Sequence, residues 1–183
     1  MNTATEAGLG ARRSGLALAE FEEVYRGNVS ALTAYFARRC VDPQAVADLT
    51  SETIVRAAAG FDGFDPGRGS ARAWLFGIAR HVYAGYCEQT SNGRVAVARL
   101  AGMTDLPADE IDELTDRIDA QRAGRELLER CRGLPELERA AVELVDLDGL
   151  TPKEGAAALG VGRGVLRMRL SRGRARLRKE LRR

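Results

Sequence analysis

Residues 148–178, DGLTPKEGAAALGVGRGVLRMRLSRGRARLR, decide the architecture of this chain. Thr151 supplies a hydroxyl N-cap, Pro152 stands at the first helical position, and Glu154 completes a capping box, so a helix starts here. Gly160 follows Leu159 where a left-handed C-terminal cap is wanted, so that helix is short. A second helix starts near Gly162 or Arg163 and runs on through Arg167, Arg169, Arg172, Arg174, Arg176 and Arg178. Two helices joined by a tight glycine-containing turn, the second heavily basic, are the form in which a protein presents a helix to the major groove of DNA.

Charge distribution supports that reading. The net charge of the 183 residues is only +2, but Gly160–Arg183 holds nine Arg and one Lys against one Glu, which is +9 and leaves −7 for the rest. Within that rest, Thr104–Asp119 holds seven acids and one Arg, or −6. A basic terminus suits a polyanion, whereas the acidic middle repels one. A charged terminal helix is often only a solvated face, but ten cations to one anion argue against it here.

Other functions find little support. Hydrophobic residues make up 45% and charged residues 30%, as in a soluble globular protein. No apolar run approaches the roughly 20 residues of a membrane span. Met1–Gly15 lacks the apolar core of a signal peptide, so a cytoplasmic protein without membrane insertion is expected. Cys40, Cys87 and Cys131 are an odd number without C-x-x-C spacing and read as buried free thiols. His81 is the only histidine, which leaves a metal site or an acid–base pair without partners. No catalytic residue, metal or cofactor is expected.

Helical periodicity dominates and strand signals are nearly absent. Residues 1–15 are small and polar and read as a disordered tail. Leu18, Phe21, Tyr25, Val29, Leu32, Phe36 and Cys40 then recur every three or four residues, giving one long amphipathic helix. Asp42-Pro43 caps and opens a second helix, GFDGFDPGRG over 60–69 is a loop, and Ser70 caps a third helix. The stripe of that third helix carries Ala71, Trp74, Leu75, Ile78, Ala79, Val82 and Tyr86. The expected fold is all-α: a first helical domain over 16–89, a flexible acidic linker over 90–116, and a helix-turn-helix domain over 117–183.

The arrangement resembles the extracytoplasmic-function group of sigma factors in the sigma-70 family. Leu134-Pro135-Glu136, Asp148-Gly149-Leu150-Thr151, Glu154 to Val161 and Arg167 to Leu177 are similar to the family's sigma-4 domain, which reads the −35 promoter element. Asp48 to Ala57 (DLTSETIVRA) resembles the helix that docks on the clamp helices of RNA polymerase. Ser70 to His81 (SARAWLFGIARH) resembles the helix leading to −10 recognition in the sigma-2 domain. The resemblance implies a promoter-specificity subunit with core RNA polymerase (the β′ clamp helices and the β flap), promoter DNA and an anti-sigma factor as partners. It implies no chemistry of its own, since catalysis belongs to the polymerase.

Site residues follow residue by residue. In the recognition helix Val161, Leu166 and Leu170 should face the core, which turns Arg163, Arg167, Met168, Ser171 and Arg172 toward DNA. Arginine suits bidentate bonding to guanine, whereas Arg169, Arg174, Arg176 and Arg178 are placed for phosphates. At the end of the third helix, Arg80, His81 and Tyr83 are candidates for unpaired −10 bases, while Trp74 and Tyr86 lie on the apolar stripe and read as core. Asp48, Leu49, Glu52 and Arg56 are the candidate polymerase contacts, although Glu52 and Arg56 also have the spacing of an ordinary exposed i,i+4 pair. Gly155 departs from the large apolar residue usual in the family, and Cys87-Glu88-Gln89 replaces a basic run. Two competing readings are a stand-alone helix-turn-helix regulator and a sigma-like adaptor that holds polymerase without initiating.

Overall fold

The computed structural model describes residues 3–91 and 106–180, and all regular structure among them is helical. Helix α1 (Thr3–Ala37) is followed by α2 (Pro43–Gly60), a 3₁₀ turn (Phe61–Gly63) and α3 (Ala71–Ser91). After the interval come α4 (Ala108–Ala120), α5 (Arg122–Cys131) and α6 (Glu136–Val142). A π turn (Glu143–Leu147), α7 (Pro152–Ala158) and α8 (Arg163–Glu180) complete the chain.

Local signals set the boundaries. Asp42 caps α2 by accepting from the Gln44 N–H at 3.2 Å, with Pro43 in the first turn. Ala45, Val46, Leu49, Thr53 and Ala57 form the buried stripe of α2, against Leu32, Tyr35 and Phe36 of α1 and Leu75, Phe76 and Ala79 of α3. The buried hydroxyls of Thr50 and Thr53 bond back to the Val46 and Leu49 carbonyls at 2.7 Å each, so neither is left unpaired. Phe61 and Phe64 pack against Trp74, tying the loop after α2 to the start of α3.

A second cluster is built from Cys131, Leu134, Ala141, Val142, Ala156, Leu166 and Leu170. Helix α8 crosses α6 at Gly173, where an added Cβ would lie 2.8 Å from Val142 Cγ2 and 3.4 Å from the Glu138 carbonyl. Gly155 serves a similar end. A Cβ there would lie 3.0 Å from Val145 Cγ2 and 3.5 Å from Leu166 Cδ2, so close approach replaces the apolar side chain that is absent.

Three features differ from the sequence expectation. Helix α1 already begins at Thr3, in the stretch expected as a tail. The acidic stretch is helical from Ala108, because Leu114 and Ile118, four residues apart, pack on the first core and the acids Asp109 and Glu110 favour a helix start. The remainder of the expected linker, 92–105, lies outside the described residues. Third, Leu144 and Leu150 of the second half belong to the first core, with Ala158 and Leu159 packed beside them. Both halves therefore contribute to the first apolar cluster, while the second lies within the second half.

The α6–α8 crossing sets a stability test. Gly173→Ala should destabilise the full chain by about 1–3 kcal/mol through overpacking, despite a helix-propensity gain of about 1 kcal/mol. Gly85→Ala, on α3 with nothing within 4 Å of the new Cβ, should be neutral or stabilising. Urea unfolding followed by circular dichroism measures both. Equal behaviour of the two variants would contradict the close crossing.

Candidate nucleic-acid and polymerase interfaces

The helix-turn-helix forms as its capping residues dictate. Thr151 accepts from the Glu154 N–H at 3.3 Å, and Glu154 accepts from the Thr151 N–H at 2.9 Å, closing the capping box. Gly160 takes φ +63° in the turn, a conformation that L side chains resist. Leu166 and Leu170 are buried, so Arg163, Arg167, Met168, Ser171 and Arg172 share the exposed side of α8, as the periodicity requires. Arg169 is half-buried.

Two further arginines are engaged inside the domain. Arg174 forks onto Asp146, with Nε donating to Oδ2 at 2.9 Å, and this bonding raises the guanidinium pKa. Arg176 Nε lies 2.9 Å from the carboxylate of Glu138, itself buried beside α8. Their charge is therefore shared with an acid, and a phosphate would compete for it.

On α3, His81 is exposed and Arg80 half-buried. Tyr83 packs edge-on to Tyr35 and beside Tyr86, and its hydroxyl donates to the Arg39 carbonyl at 3.4 Å. Burial, with Cys87 nearby, raises the Tyr83 pKa. In this conformation Tyr83 belongs to the flank of the core, and of the three candidates His81 offers the most open surface. Cys87 is exposed, unlike Cys40 and Cys131, because it lies beyond the buried stripe near the end of α3. Burial pushes the Cys40 thiol to about 12 and Cys131 to about 11.

The candidate polymerase face on α2 is partly rearranged. Leu49 is 4% exposed and packs in the first core, so its side chain faces away from the surface assigned to it. Asp48 is half-buried, accepts from Gln44 Nε2 at 2.9 Å, and has its pKa raised by burial. Glu52 and Arg56 form an exposed pair at 2.6 Å. Sequence reasoning missed Val55, which is 65% exposed beside them. An apolar residue three positions after Glu52, off the stripe of Leu49, Thr53 and Ala57, is the signal that marks it.

A third site was not anticipated. Arg38 and Arg39, just past α1, meet the π turn: Arg38 Nη2 donates to Asp148 Oδ1 at 2.7 Å, and Arg39 Nη2 donates to Asp148 Oδ2 at 3.1 Å and Glu143 Oε2 at 3.2 Å. Arg72 donates to the Asp148 carbonyl at 3.1 Å, and Ser70 to Glu154 Oε1 at 2.8 Å. All of these bonds join the two halves.

The two halves match two known families: residues 24–91 match sigma-70 region 2, and residues 124–177 match sigma-70 region 4. The ECF RNA polymerase sigma factor SigC of Mycobacterium tuberculosis is 32% identical over 170 residues, covering 90% of this chain and 83% of that protein. The chain belongs to the extracytoplasmic-function sigma factors of the sigma-70 family.

The ECF sigma factor SigE of Mycolicibacterium smegmatis is 33% identical over 132 residues, or 72% of this chain, which spans about half (49%) of that relative's length. The sigma factor RpoE of Bartonella quintana, solved with the anti-sigma factor NepR, shares the fold. Its TM-score is 0.56 at 24% identity, covering 89% of this chain and 97% of that one. Region 2 of this sigma factor thus runs from late α1 through α3, and region 4 from α5 through most of α8, with α4 between them. Among the described residues no helix is long and apolar enough to cross a membrane.

Glu154 sets a pH test for region 4. Burial opposes its charge, but bonds from the Thr151 N–H and hydroxyl and from Ser70, together with the charge of Arg72, win and lower its pKa. A depressed carboxyl contributes stability above its unfolded pKa of about 4.3, which is lost as pH falls through the folded value. Glu154→Gln should therefore lower stability at pH 7, and the gap to wild type should close as pH falls below about 4. A gap independent of pH in thermal unfolding would contradict this account.

Proposed function

We propose that this sigma factor binds core RNA polymerase through the outer face of α2, reads the −10 element with the end of α3 and reads the −35 element with α8. The observation that carries the reading is the exposed side of α8: Arg163, Arg167, Met168, Ser171 and Arg172 lie open while Leu166 and Leu170 anchor the helix from behind. Arg167 and its neighbours address base edges. Arg169, Arg174 and Arg176 position the helix on phosphates, the last two by exchanging an internal carboxylate for DNA. Glu52 and Arg56, with Val55 between them, form the polymerase contact, and Asp48 borders it. His81, with Arg80, meets unpaired −10 bases, and Tyr83 joins them only if it leaves the core flank.

The protein is not an enzyme on this reading; it supplies promoter choice to the polymerase, in the cytoplasm. The neighbour from Bartonella quintana is held by an anti-sigma factor, and an inhibitor of that kind is the expected regulator here.

The test uses holoenzyme reconstituted with core polymerase and a promoter selected by the wild-type protein from a random library. Arg167→Ala should lose about 1–3 kcal/mol at the −35 element and relax base preference there, as a lost base-edge contact does. Glu52→Lys should weaken association with core and leave base preference alone. His81→Ala should keep binding to −35 duplex but reduce permanganate reactivity of the promoter bubble. Unchanged promoter opening in His81→Ala, or unchanged preference in Arg167→Ala, would remove the corresponding assignment.

A further inference from the structure

Acids hold two of the arginines of α8 and leave the base-reading ones alone. Arg174 donates to both oxygens of Asp146, which stands on the π turn, and Arg176 Nε lies 2.9 Å from Glu138 Oε2 on α6. Among the described residues neither carboxylate pairs with any other side chain. Among the same residues Arg163, Arg167 and Arg172, on the exposed side of α8, have no acid at ion-pair distance. The Glu138 side chain is 11% exposed and that of Asp146 29%, so water and salt screen these pairs less than a fully open surface pair.

Helical spacing puts the two held arginines where a groove-bound helix meets phosphate. At about 3.6 residues per turn, Arg174 and Arg176 lie on opposite sides of the buried line of Leu166, Leu170 and Gly173. Arg174 continues the edge of Arg167, two turns on, and Arg176 continues that of Arg169. The two flanks of a helix in the major groove face the two sugar-phosphate strands, whose charge is the same in every sequence. One more phosphate contact releases counterions, steepens the salt slope by about 0.9 and tightens binding to any duplex about 8-fold at about 0.1 M salt. An arginine that stays on its carboxylate contributes none of this.

We propose that Asp146 and Glu138 set sequence discrimination: they hold Arg174 and Arg176 off the phosphates of non-promoter duplex and release them when α8 is seated on its −35 bases. The inference rests on α8 being the −35 reader. Contacts of Arg163 and Arg167 with base edges fix the depth and register of the helix, and that register brings a phosphate within reach of each flank. Each phosphate then takes over the guanidinium. On a wrong sequence the helix lacks that register, the arginines keep their acids, and affinity stays low. Discrimination is a difference between two affinities, and the acids widen it by lowering the weaker one.

Holoenzyme reconstituted with core polymerase tests this on two fragments: the promoter selected by the wild-type protein, and the same fragment with its −35 element scrambled. Asp146→Asn should bind the scrambled fragment about 8-fold more tightly at about 0.1 M salt, with a salt slope steeper by about 0.9. Its affinity for the selected promoter should change little, so the ratio between the fragments falls. Glu138→Gln should act in the same way through Arg176. Glu136→Gln makes the same change of charge on the same helix, but among the described residues Glu136 pairs with no arginine of α8, so the ratio should hold. Arg174→Ala added to Asp146→Asn should return the scrambled-fragment affinity toward wild type, which a damaged fold would not do. An unchanged ratio and slope in Asp146→Asn, or an equal gain on both fragments, would overturn the proposal. An equal fall in the ratio for Glu136→Gln would reduce the effect to net charge and overturn it as well. Failure of the underlying reading shows elsewhere, in the wild-type protein, which would then bind the two fragments equally.

Discussion

The carboxylate of Asp148 lies where the two halves of this molecule meet. It is enclosed between Arg38 at 2.7 Å and Arg39 at 3.1 Å, both from the opposite half, and a carboxylate in that position is tolerable only while both arginines stay. Removing one partner of such a pair while the other remains buried costs about 3–5 kcal/mol. Separating the halves is different, because acid and bases all return to water and recover the hydration they gave up. The net contribution of the buried pair is then small. The attraction comes instead from the apolar surface of Leu144, Leu150, Ala158 and Leu159 against region 2. The ions choose the register in which that surface docks, and they make any other register unfavourable.

Two local features bring these groups together. Helix α1 ends at Ala37, and Arg38 and Arg39 follow where cations suit the negative end of a helix. Arg39 also lies 3.7 Å over the ring of Tyr35, which holds its guanidinium in place. On the other side the π turn widens the end of α6 so that Glu143 and Asp148 both converge on Arg39. Turns of this kind often occur at functional positions. The same economy of charge holds within region 4, where Asp146 and Glu138 occupy Arg174 and Arg176. The cationic surface offered to DNA is accordingly smaller than the count of arginines in α8 suggests.

What could be read from the sequence was what depends on neighbouring residues. Asp42-Pro43, Thr151-Pro152 with Glu154, and Gly160 each act within one turn, and each forms in the structure as its chemistry requires. The stripe of α8 was legible for the same reason. Helix α4 was obscured because its acids dominate the composition while only Leu114 and Ile118 carry the packing signal. Leu49 was assigned with the acids beside it, yet it follows the stripe of Val46, Thr50 and Thr53 into the core. Tyr83 falls off the main stripe of α3 but is covered by Tyr35 of another helix, which no spacing rule reveals. The docking of region 4 on region 2 joins residues 110 positions apart, and no periodicity carries that information.

The distance between the two regions in the free molecule tests the account most directly. Spin labels on Val55→Cys and Arg172→Cys, with the exposed Cys87 replaced by serine and Cys40 and Cys131 buried, report it by pulsed dipolar spectroscopy, since Val55 and Arg172 are exposed on opposite halves. The account predicts one short, narrow distribution for the free protein. A broad, long distribution in the free protein would mean that the halves are not docked in solution, and would contradict it.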